Sequence, residues 1–330
     1  MFVFYFIFYF SLYIFTNVCY NKTMENKILE VKNLSVLIKE RFLVKNISFS
    51  LEKGRSLAII GEDRSGKTSL IKAIDGALPI SQGQILIDGK DITLNREVLS
   101  DVSLCLDPPM FFKFQSVFDN MKYLTSLSNK YDKSKIEEVL KKVNLFDKIK
   151  TKVLMLSYFE KKLLSLALAF LTKPKILLLD QPFKTLPTKQ IEQIKEWIKQ
   201  LQSQGTSVVI SSRKYEDVED FCDNFLFMEH RTMVKMLNKN ECEEFSNSKT
   251  YAFIEVKYPH YAGKLVIENF DLDVKILVRK ILFEADEDKT AEIAKFLTSK
   301  KIAIYKAGFL FNKAEKIFAE LAPLYKKEEE

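Results

Sequence analysis

Short apolar runs alternate with stretches of helical periodicity along most of the chain. Residues 56–60 (SLAII), 176–179 (ILLL) and 207–210 (SVVI) each have the length and apolar content of a buried strand, as does the shorter run 85–87 (ILI). Strands separated by helical stretches are typical of an α/β fold, so we expect a layered domain with a partly parallel sheet.

Two stretches have the spacing of amphipathic helices. Leu70, Ile71 and Ile74 fall on one face of a helix that follows the first strand. Residues 188–204 place five apolar side chains at helical spacing, namely Ile191, Ile194, Trp197, Ile198 and Leu201. A tryptophan in such a row is typical of a buried helix face rather than of a ligand platform.

The first 23 residues are apolar and rich in aromatic side chains, and they contain no acidic residue. About 20 such residues can cross a bilayer, whereas a secretory signal would need a positive start and a small-residue cleavage site. Met24 opens MENKILEVKNLSV, which resembles the beginning of a globular domain. Two main interpretations stay open: a start codon placed too early, and a membrane segment or anchor.

The amino-acid composition limits the classes of protein to which this chain can belong. The 330 residues, 47% hydrophobic and 29% charged, predict about two globular domains. The net charge of +7 is spread along the chain without a basic cluster, which argues against nucleic acid as a partner. Four scattered cysteines and two histidines suggest neither a zinc site nor a disulfide framework, so a reducing cytoplasm is expected.

One motif carries chemistry. Gly61, Gly66, Lys67 and Thr68 satisfy GxxxxGK[ST] between a predicted strand and a predicted helix. Glycines let successive backbone N–H groups face phosphate oxygens, Lys67 would reach the outer phosphates, and Thr68 would ligate Mg²⁺. Asp180, at the end of an apolar strand, would hold the same magnesium through water. The sequence therefore predicts a P-loop domain that binds the phosphates of a nucleotide together with Mg²⁺.

The motif and its surroundings resemble the ATP-binding cassette (ABC) transporter ATPases. Residues 44–76, 80–92 and 156–182 are similar to the family's opening segments and to its signature helix and Walker B strand. The resemblance implies a P-loop NTPase cassette over residues 24–237, with a mixed sheet and a helical subdomain. It implies nucleotide contacts from Gly61, Glu62, Asp63, Arg64, Ser65, Gly66, Lys67, Thr68, Ser69, Asp107 and Asp180.

Family members work as dimers that sandwich ATP between one subunit's phosphate loop and the other's LSGGQ signature. The signature position here holds Ser157, Tyr158 and Phe159. Tyr158 and Phe159 stand where the family has two glycines, and their side chains should keep the helix amides away from a γ-phosphate. The glutamate that acts on the attacking water is replaced by Gln181, and the switch histidine falls on Arg213.

Further departures follow the same trend. The Q-loop glutamine falls on Asp107 and the D-loop aspartate on Pro187, and Phe42 is the nearest candidate for an aromatic side chain that stacks on adenine. The sequence thus predicts a degenerate cassette that binds nucleotide but hydrolyses it poorly.

Residues 238–330 are predicted to form a small α+β accessory domain. Strands are expected at 251–256, 264–267, 274–278 and 302–305, with helices at 288–297 and 314–321. Residues 287–321 resemble the C-terminal appendage of cassettes that serve ABC-2-type exporters of drugs, lantibiotics and bacitracin. His260 has no acid or cysteine pattern around it, so dimerisation or regulation is expected here rather than a second activity.

Two classes of function remain. In the first, the chain is a peripheral ATP-binding subunit on the cytoplasmic face of the membrane. Its partners would be a separate transmembrane permease, contacted near the Phe-rich run 110–118, and a second cassette, either identical or intact. In the second, it is a nucleotide-sensing module without transport. A translation-factor cassette is a weaker third interpretation, because those chains carry two cassettes.

Overall fold

The computed structural model describes residues 26–127, 130–247, 251–277, 279–310 and 313–321. The apolar segment 1–23, and with it both interpretations of the N-terminus, lies outside these residues. None of the helices in the described ranges is both long and apolar enough to cross a membrane.

The first part of the chain builds two sheets. An antiparallel sheet has the order β2-β1-β4-β5, and a larger sheet has the order β10-β9-β3-β8-β7-β6. The strands are β1 (Lys27–Ile38), β2 (Arg41–Glu52), β3 (Ser56–Ile60), β4 (Gln82–Ile87), β5 (Lys90–Asp91), β6 (Val102–Cys105), β7 (Ile176–Leu179), β8 (Ser207–Ser212), β9 (Asn224–Glu229) and β10 (Thr232–Asn238).

The centre of the larger sheet is parallel, as the sequence predicts. β3 pairs with β8, β8 with β7, and β7 with β6, all in parallel. Every residue of β3, β7 and β8 is buried, because such a sheet is covered on both faces. The carboxyl ends of these strands therefore meet at one edge, where the predicted site residues lie.

Helices of this part are α1 (Lys67–Ile74), α2 (Val117–Leu127), α3 (Lys133–Lys142), α4 (Tyr158–Thr172) and α5 (Thr188–Ser203). The predicted apolar face of α1 is fully buried. On α5, Trp197 is 7% exposed and packs edge-on against Phe170, with ring centroids 5.4 Å apart. The prediction that this tryptophan belongs to the core is confirmed.

The contacts divide the chain into two units. The first comprises residues up to 213 together with 221–223 and 228–233, and the second comprises 214–220, 224–227 and 234–330. The division passes through β9 and β10, which lie within the predicted cassette.

The second unit contains a four-stranded antiparallel sheet of order β12-β13-β11-β14. Its elements follow one another as α6 (Lys239–Asn247), β11 (Ala252–Val256), α7 (Pro259–Phe270), β12 (Lys275–Leu277), β13 (Lys280–Phe283), α8 (Glu287–Ser299), β14 (Ile304–Phe309) and α9 (Lys313–Leu321). Side chains of β11 alternate between two clusters: Ile254 packs with Val266 of α7 and Ile293 of α8, and Phe253 packs with Ala319 of α9. The predicted α+β accessory unit is thus confirmed.

One predicted strand is wrong. Residues 264–267 lie within helix α7. The run KLVI has the composition of a short strand, but Pro259 opens a helix here, and Ala262 and Val266, four residues apart, face the same core. Short apolar runs do not by themselves distinguish a strand from a helix.

Candidate functional site

The phosphate loop lies between the end of β3 and the start of α1, and its two glycines are required by close contacts. Gly66 has a φ of +106°, and a Cβ there would lie 2.9 Å from the Leu43 carbonyl oxygen. A Cβ on Gly61 would lie 2.4 Å from the Met228 carbonyl oxygen. Any larger residue at either position would push the loop away from the strands that support it.

Lys67 is buried in this loop, with 3% of its surface exposed. Its Nζ donates hydrogen bonds to the carbonyl oxygens of Gly61 at 2.6 Å and Glu62 at 2.7 Å. Burial lowers the pKa of Lys67 to about 8, although the carboxylates of Asp63 and Asp180 raise it. A desolvated ammonium group among neutral carbonyls would gain from an anion, which is what phosphate supplies.

A chain of hydrogen bonds joins the ends of α1, β7 and β8. Asp180, 2% exposed, accepts hydrogen bonds from Thr68 Oγ1 at 2.9 and 3.1 Å and from Ser211 Oγ at 2.7 Å. Ser211 Oγ in turn accepts one from the Gln181 amide at 2.9 Å. The sequence reasoning missed Ser211, although Leu179 pairs with Ile210 in adjacent parallel strands, which places the next residue of each strand side by side.

The Thr68 hydroxyl and the Asp180 carboxylate fit the oxygen ligands that Mg²⁺ prefers. Within the described residues, no group of three or more His, Cys, Asp or Glu side chains could hold a metal ion. An ion at Thr68 and Asp180 would therefore complete its shell with phosphate oxygens and water, as magnesium at nucleotide sites does.

A pocket opens beside the phosphate loop. It is lined by Arg41, Leu43, Arg64, Gly66, Lys67, Thr68, Ser69, Gln181 and Arg231. Six of these belong to the residues predicted from sequence, whereas Arg41, Leu43 and Arg231 were missed. Arg41 and Leu43 come from the start of β2 and Arg231 from the turn between β9 and β10, and only the fold brings these segments to the loop.

Phe42, the predicted aromatic contact for adenine, does not line this pocket. The centroid of the Phe42 ring lies 5.7 Å from Lys45 Nζ, and the Phe42 carbonyl oxygen accepts a hydrogen bond from Arg231 Nη1 at 3.0 Å. Its neighbours Arg41 and Leu43 face the pocket instead, because successive side chains of a strand point to opposite sides.

Two predicted residues form ion pairs, and only that of Arg213 reaches the phosphate loop. Arg213 Nη1 lies 3.1 Å from Asp63 Oδ2. Asp107, with a side chain 7% exposed, has its carboxylate 3.5 Å from both Lys162 Nζ and Lys184 Nζ. The nucleotide contact expected of Asp107 stays a prediction, and in this structure its charge is compensated by two lysines.

Lys162 ties α4 to the segment that follows Asp180. Its Nζ donates hydrogen bonds to the carbonyl oxygens of Gln181 at 3.0 Å and Pro182 at 2.8 Å. Burial lowers the pKa of Lys162, and the Asp107 carboxylate opposes that shift. The buried lysine therefore fixes the backbone position of Gln181 relative to α4.

The N-terminus of α4 is closed by its own side chains. Ser157 Oγ accepts a hydrogen bond from the Glu160 amide at 3.2 Å, and Glu160 Oε2 accepts one from the Ser157 amide at 2.8 Å, which together form a capping box. Tyr158 and Phe159 are the first two residues of the helix. Although burial raises the pKa of Glu160, hydrogen bonds from Lys148 and Ser157 hold it below its usual value. The helix start thus carries a carboxylate charge.

Known proteins with similar sequences and folds are ATP-binding components of transporters. Residues 44–184 match the ABC transporter family model. An uncharacterized ABC transporter ATP-binding protein, YhcH of Bacillus subtilis, is 27% identical over 91% of this chain and 98% of its own length. The lantibiotic transport ATP-binding protein SrtF of Streptococcus pyogenes is 29% identical over 59% of this chain and 84% of its own.

A solved structure gives the fold independently. A dimeric ATP-binding cassette in a post-hydrolysis state, bound to ADP and Pi, superposes with a TM-score of 0.59 at 19% identity over 64% of this chain and 98% of that one. The predicted cassette fold, a mixed α/β P-loop domain with an additional C-terminal antiparallel sheet, is confirmed.

Proposed function

We propose that this chain, which contains an ATP-binding cassette of the ABC transporter family, is the ATP-holding subunit of an ABC exporter and hydrolyses ATP slowly or not at all. The observation that carries the proposal is the position of Gln181 in the pocket wall with Lys67 and Thr68. A side-chain amide cannot take a proton from water, and the loss of a general base typically reduces the rate by about 10²–10⁴.

The residues that would bind nucleotide are nonetheless in place. Lys67 and the loop amides would hold the phosphates, and Thr68 and Asp180 would hold Mg²⁺, with Ser211 fixing the carboxylate by its 2.7 Å hydrogen bond. When bound, the magnesium ion would neutralise phosphate charge. The chain thus keeps its binding groups and lacks the base.

In a dimer, the N-terminus of α4 would complete the nucleotide site formed by the partner's phosphate loop. The closed start of α4 supports slow hydrolysis at that site as well. The Glu160 amide already donates to Ser157, and the ionised Glu160 side chain would repel a γ-phosphate. Tyr158 and Phe159 add bulk at the same place. A partner's site completed by this helix would lack its amide clamp.

An exposed apolar surface supports a membrane subunit as partner. Met110, Phe114 and Met155 are 75%, 77% and 73% exposed, and Phe112 and Leu154 about half exposed. The two segments lie together because the Leu154 amide donates to the Lys113 carbonyl at 2.8 Å. Exposed apolar residues in one patch are typical of an interaction site. We assign this patch as the surface that contacts the cytoplasmic side of a separate permease.

Similarity to a lantibiotic transport subunit supports export, and similarity to a dimeric cassette supports pairing with a second one. In a homodimer neither site would have a base or an amide clamp. We therefore infer a heterodimer with an intact cassette. This chain's phosphate loop and Gln181 would face the partner's glycine-rich signature there, and that site would retain ATP for long periods.

The test is the Mg²⁺-dependent ATPase rate of the purified chain, with Lys67→Ala as the background control. We expect rates equal to that control, no recovery in Gln181→Glu, and partial recovery only when Tyr158→Gly and Phe159→Gly are added. Robust turnover by the unmodified chain, abolished by Lys67→Ala, would contradict the proposal. Native chain isolated from membranes without any polytopic protein would favour the nucleotide-sensing module instead.

A further inference from the structure

The pocket beside the phosphate loop has an arginine-rich wall. Among the described residues that line it are Arg41, Arg64 and Arg231, and none of the lining residues is aromatic or acidic. Leu43 is the apolar residue of this wall. The chemistry of the wall is therefore that of planar cations beside one aliphatic side chain.

The arginine-rich wall contacts one part of the phosphate loop, and Thr68 and Asp180, the residues that would hold magnesium, lie at another. Thr68 Oγ1 is hydrogen-bonded to Asp180, whereas a Cβ on Gly66 would lie 2.9 Å from the Leu43 carbonyl oxygen and 3.4 Å from the Arg231 Cα. A nucleotide with its outer phosphates at Lys67 and Thr68 would extend its ribose and base toward Leu43 and Arg231.

Arg231 is held in place by three contacts. Its amide donates to the Ser65 carbonyl at 3.1 Å, its carbonyl accepts from the Lys45 amide at 2.8 Å, and its Nη1 donates to the Phe42 carbonyl at 3.0 Å. Arg41 is an exposed residue at the start of β2. Arg231 is thus held in place, whereas Arg41 and Arg64 are both exposed. Arg64 belongs to the phosphate loop itself, so Arg41 is the exposed guanidinium on the β2 side of the pocket, where Leu43 lies.

We propose that Arg41 is the residue that determines base binding, with its guanidinium stacked on the purine ring of the nucleotide and with Leu43 and Arg231 bounding the subsite. The inference rests on the proposed function, because it requires that the chain binds ATP. A guanidinium is planar and weakly hydrated, so it stacks on aromatic rings where a lysine ammonium does so poorly. Arg41 thereby takes the place of the aromatic side chain that Phe42 does not supply.

Calorimetric titration of the full chain with Mg-ATP and with magnesium tripolyphosphate separates base contacts from phosphate contacts. We expect Arg41→Gln and Arg41→Lys to weaken ATP binding about tenfold, with tripolyphosphate affinity changed less than about twofold. Arg41→Tyr should keep the parent affinity, because a ring replaces the guanidinium plane. Lys39→Gln removes the same unit of charge two residues earlier, in the turn before β2, and should leave both affinities unchanged.

Three results would overturn the assignment of Arg41: equal weakening of ATP and tripolyphosphate by Arg41→Gln, full ATP affinity in Arg41→Lys, or no effect of Arg41→Gln at all. Failure of the parent to bind ATP would instead contradict the proposed function. ATP binding that is lost in Lys67→Ala but intact in Arg41→Gln would leave the nucleotide site standing and reject only the stacking role.

Discussion

Arg213 Nη1 lies 3.1 Å from Asp63 Oδ2, so an ion pair joins the residue after β8 to the phosphate loop. The resemblance of the sequence to ABC ATPases predicts that Arg213 stands at the position of their switch histidine. We expect Arg213 to donate a hydrogen bond to the γ-phosphate of ATP, which ADP lacks. Because hydrogen bonds to charged groups contribute about 1.5–3 kcal/mol, Arg213→Gln should weaken ATP binding about tenfold and ADP binding less than twofold. Titration calorimetry with both nucleotides measures this.

Asp63→Asn is the matched variant for that prediction. It frees Arg213 without removing it, so ATP affinity should be equal to or greater than that of the parent. The pair is half exposed, and such pairs contribute at most about 1 kcal/mol to stability, so both variants should unfold at nearly the parent temperature. Equal loss of ATP and ADP affinity in Arg213→Gln would show that Arg213 does not distinguish the γ-phosphate.

ATP binding should be linked to protonation of Lys67. Burial lowers the pKa of Lys67 to about 8, and a bound triphosphate would raise it because the anion favours the ammonium form. Binding at pH 9 should therefore take up protons, and affinity should fall as the pH rises from 7 to 9.5. Calorimetry in buffers of different ionisation enthalpy measures the uptake, and a phosphate tail already deprotonated at this pH cannot account for it.

Two outcomes decide the linkage. Proton uptake at pH 9 that exceeds the uptake at pH 7 supports it. An affinity independent of pH over this range would mean that Lys67 keeps the same charge in the free and bound states.

Ser211→Ala should destabilise the fold by about 1–3 kcal/mol, the cost of leaving buried polar groups without partners. The substitution removes the 2.7 Å hydrogen bond to Asp180 and the acceptor of the Gln181 amide. Chemical denaturation measures the change in the free energy of unfolding. Ser203→Ala, at an exposed serine on α5, is the control and should change it by less than about 0.5 kcal/mol; an equally small effect of Ser211→Ala would refute the network.

Lys162→Met should cost about 3 kcal/mol of stability, because it leaves the buried Asp107 carboxylate with Lys184 alone. Adding Asp107→Asn removes that charge, so the double variant should be more stable than Lys162→Met. Lys175→Met, at a half-exposed lysine that pairs with Asp88 and Asp101, should cost less than about 1 kcal/mol. Additive effects of the Lys162 and Asp107 substitutions would show that the two side chains are not coupled.

The local sequence pattern was sufficient to predict most of the strands and helices of the first unit. The strand at 56–60, the glycines at 61 and 66 and the helix from Lys67 follow from residues adjacent in the chain, so their positions could be predicted. The misplaced strand at 264–267 marks the limit of this reasoning, because its short apolar run fits both a strand and the helix that the surrounding core selects.

The sequence by itself determined the phosphate loop with its lysine and threonine, because each is a residue type at a fixed local spacing. The substitutions at Gln181 and in the signature are predicted in the same way, from the family resemblance. Only the tertiary structure decided that Ser211 supports Asp180, that Lys162 and Lys184 compensate Asp107, and that Arg41 and Arg231 line the pocket. These contacts join residues tens to more than a hundred positions apart. They depend on strand order and on the direction in which each side chain leaves its strand, and neither is encoded in local spacing.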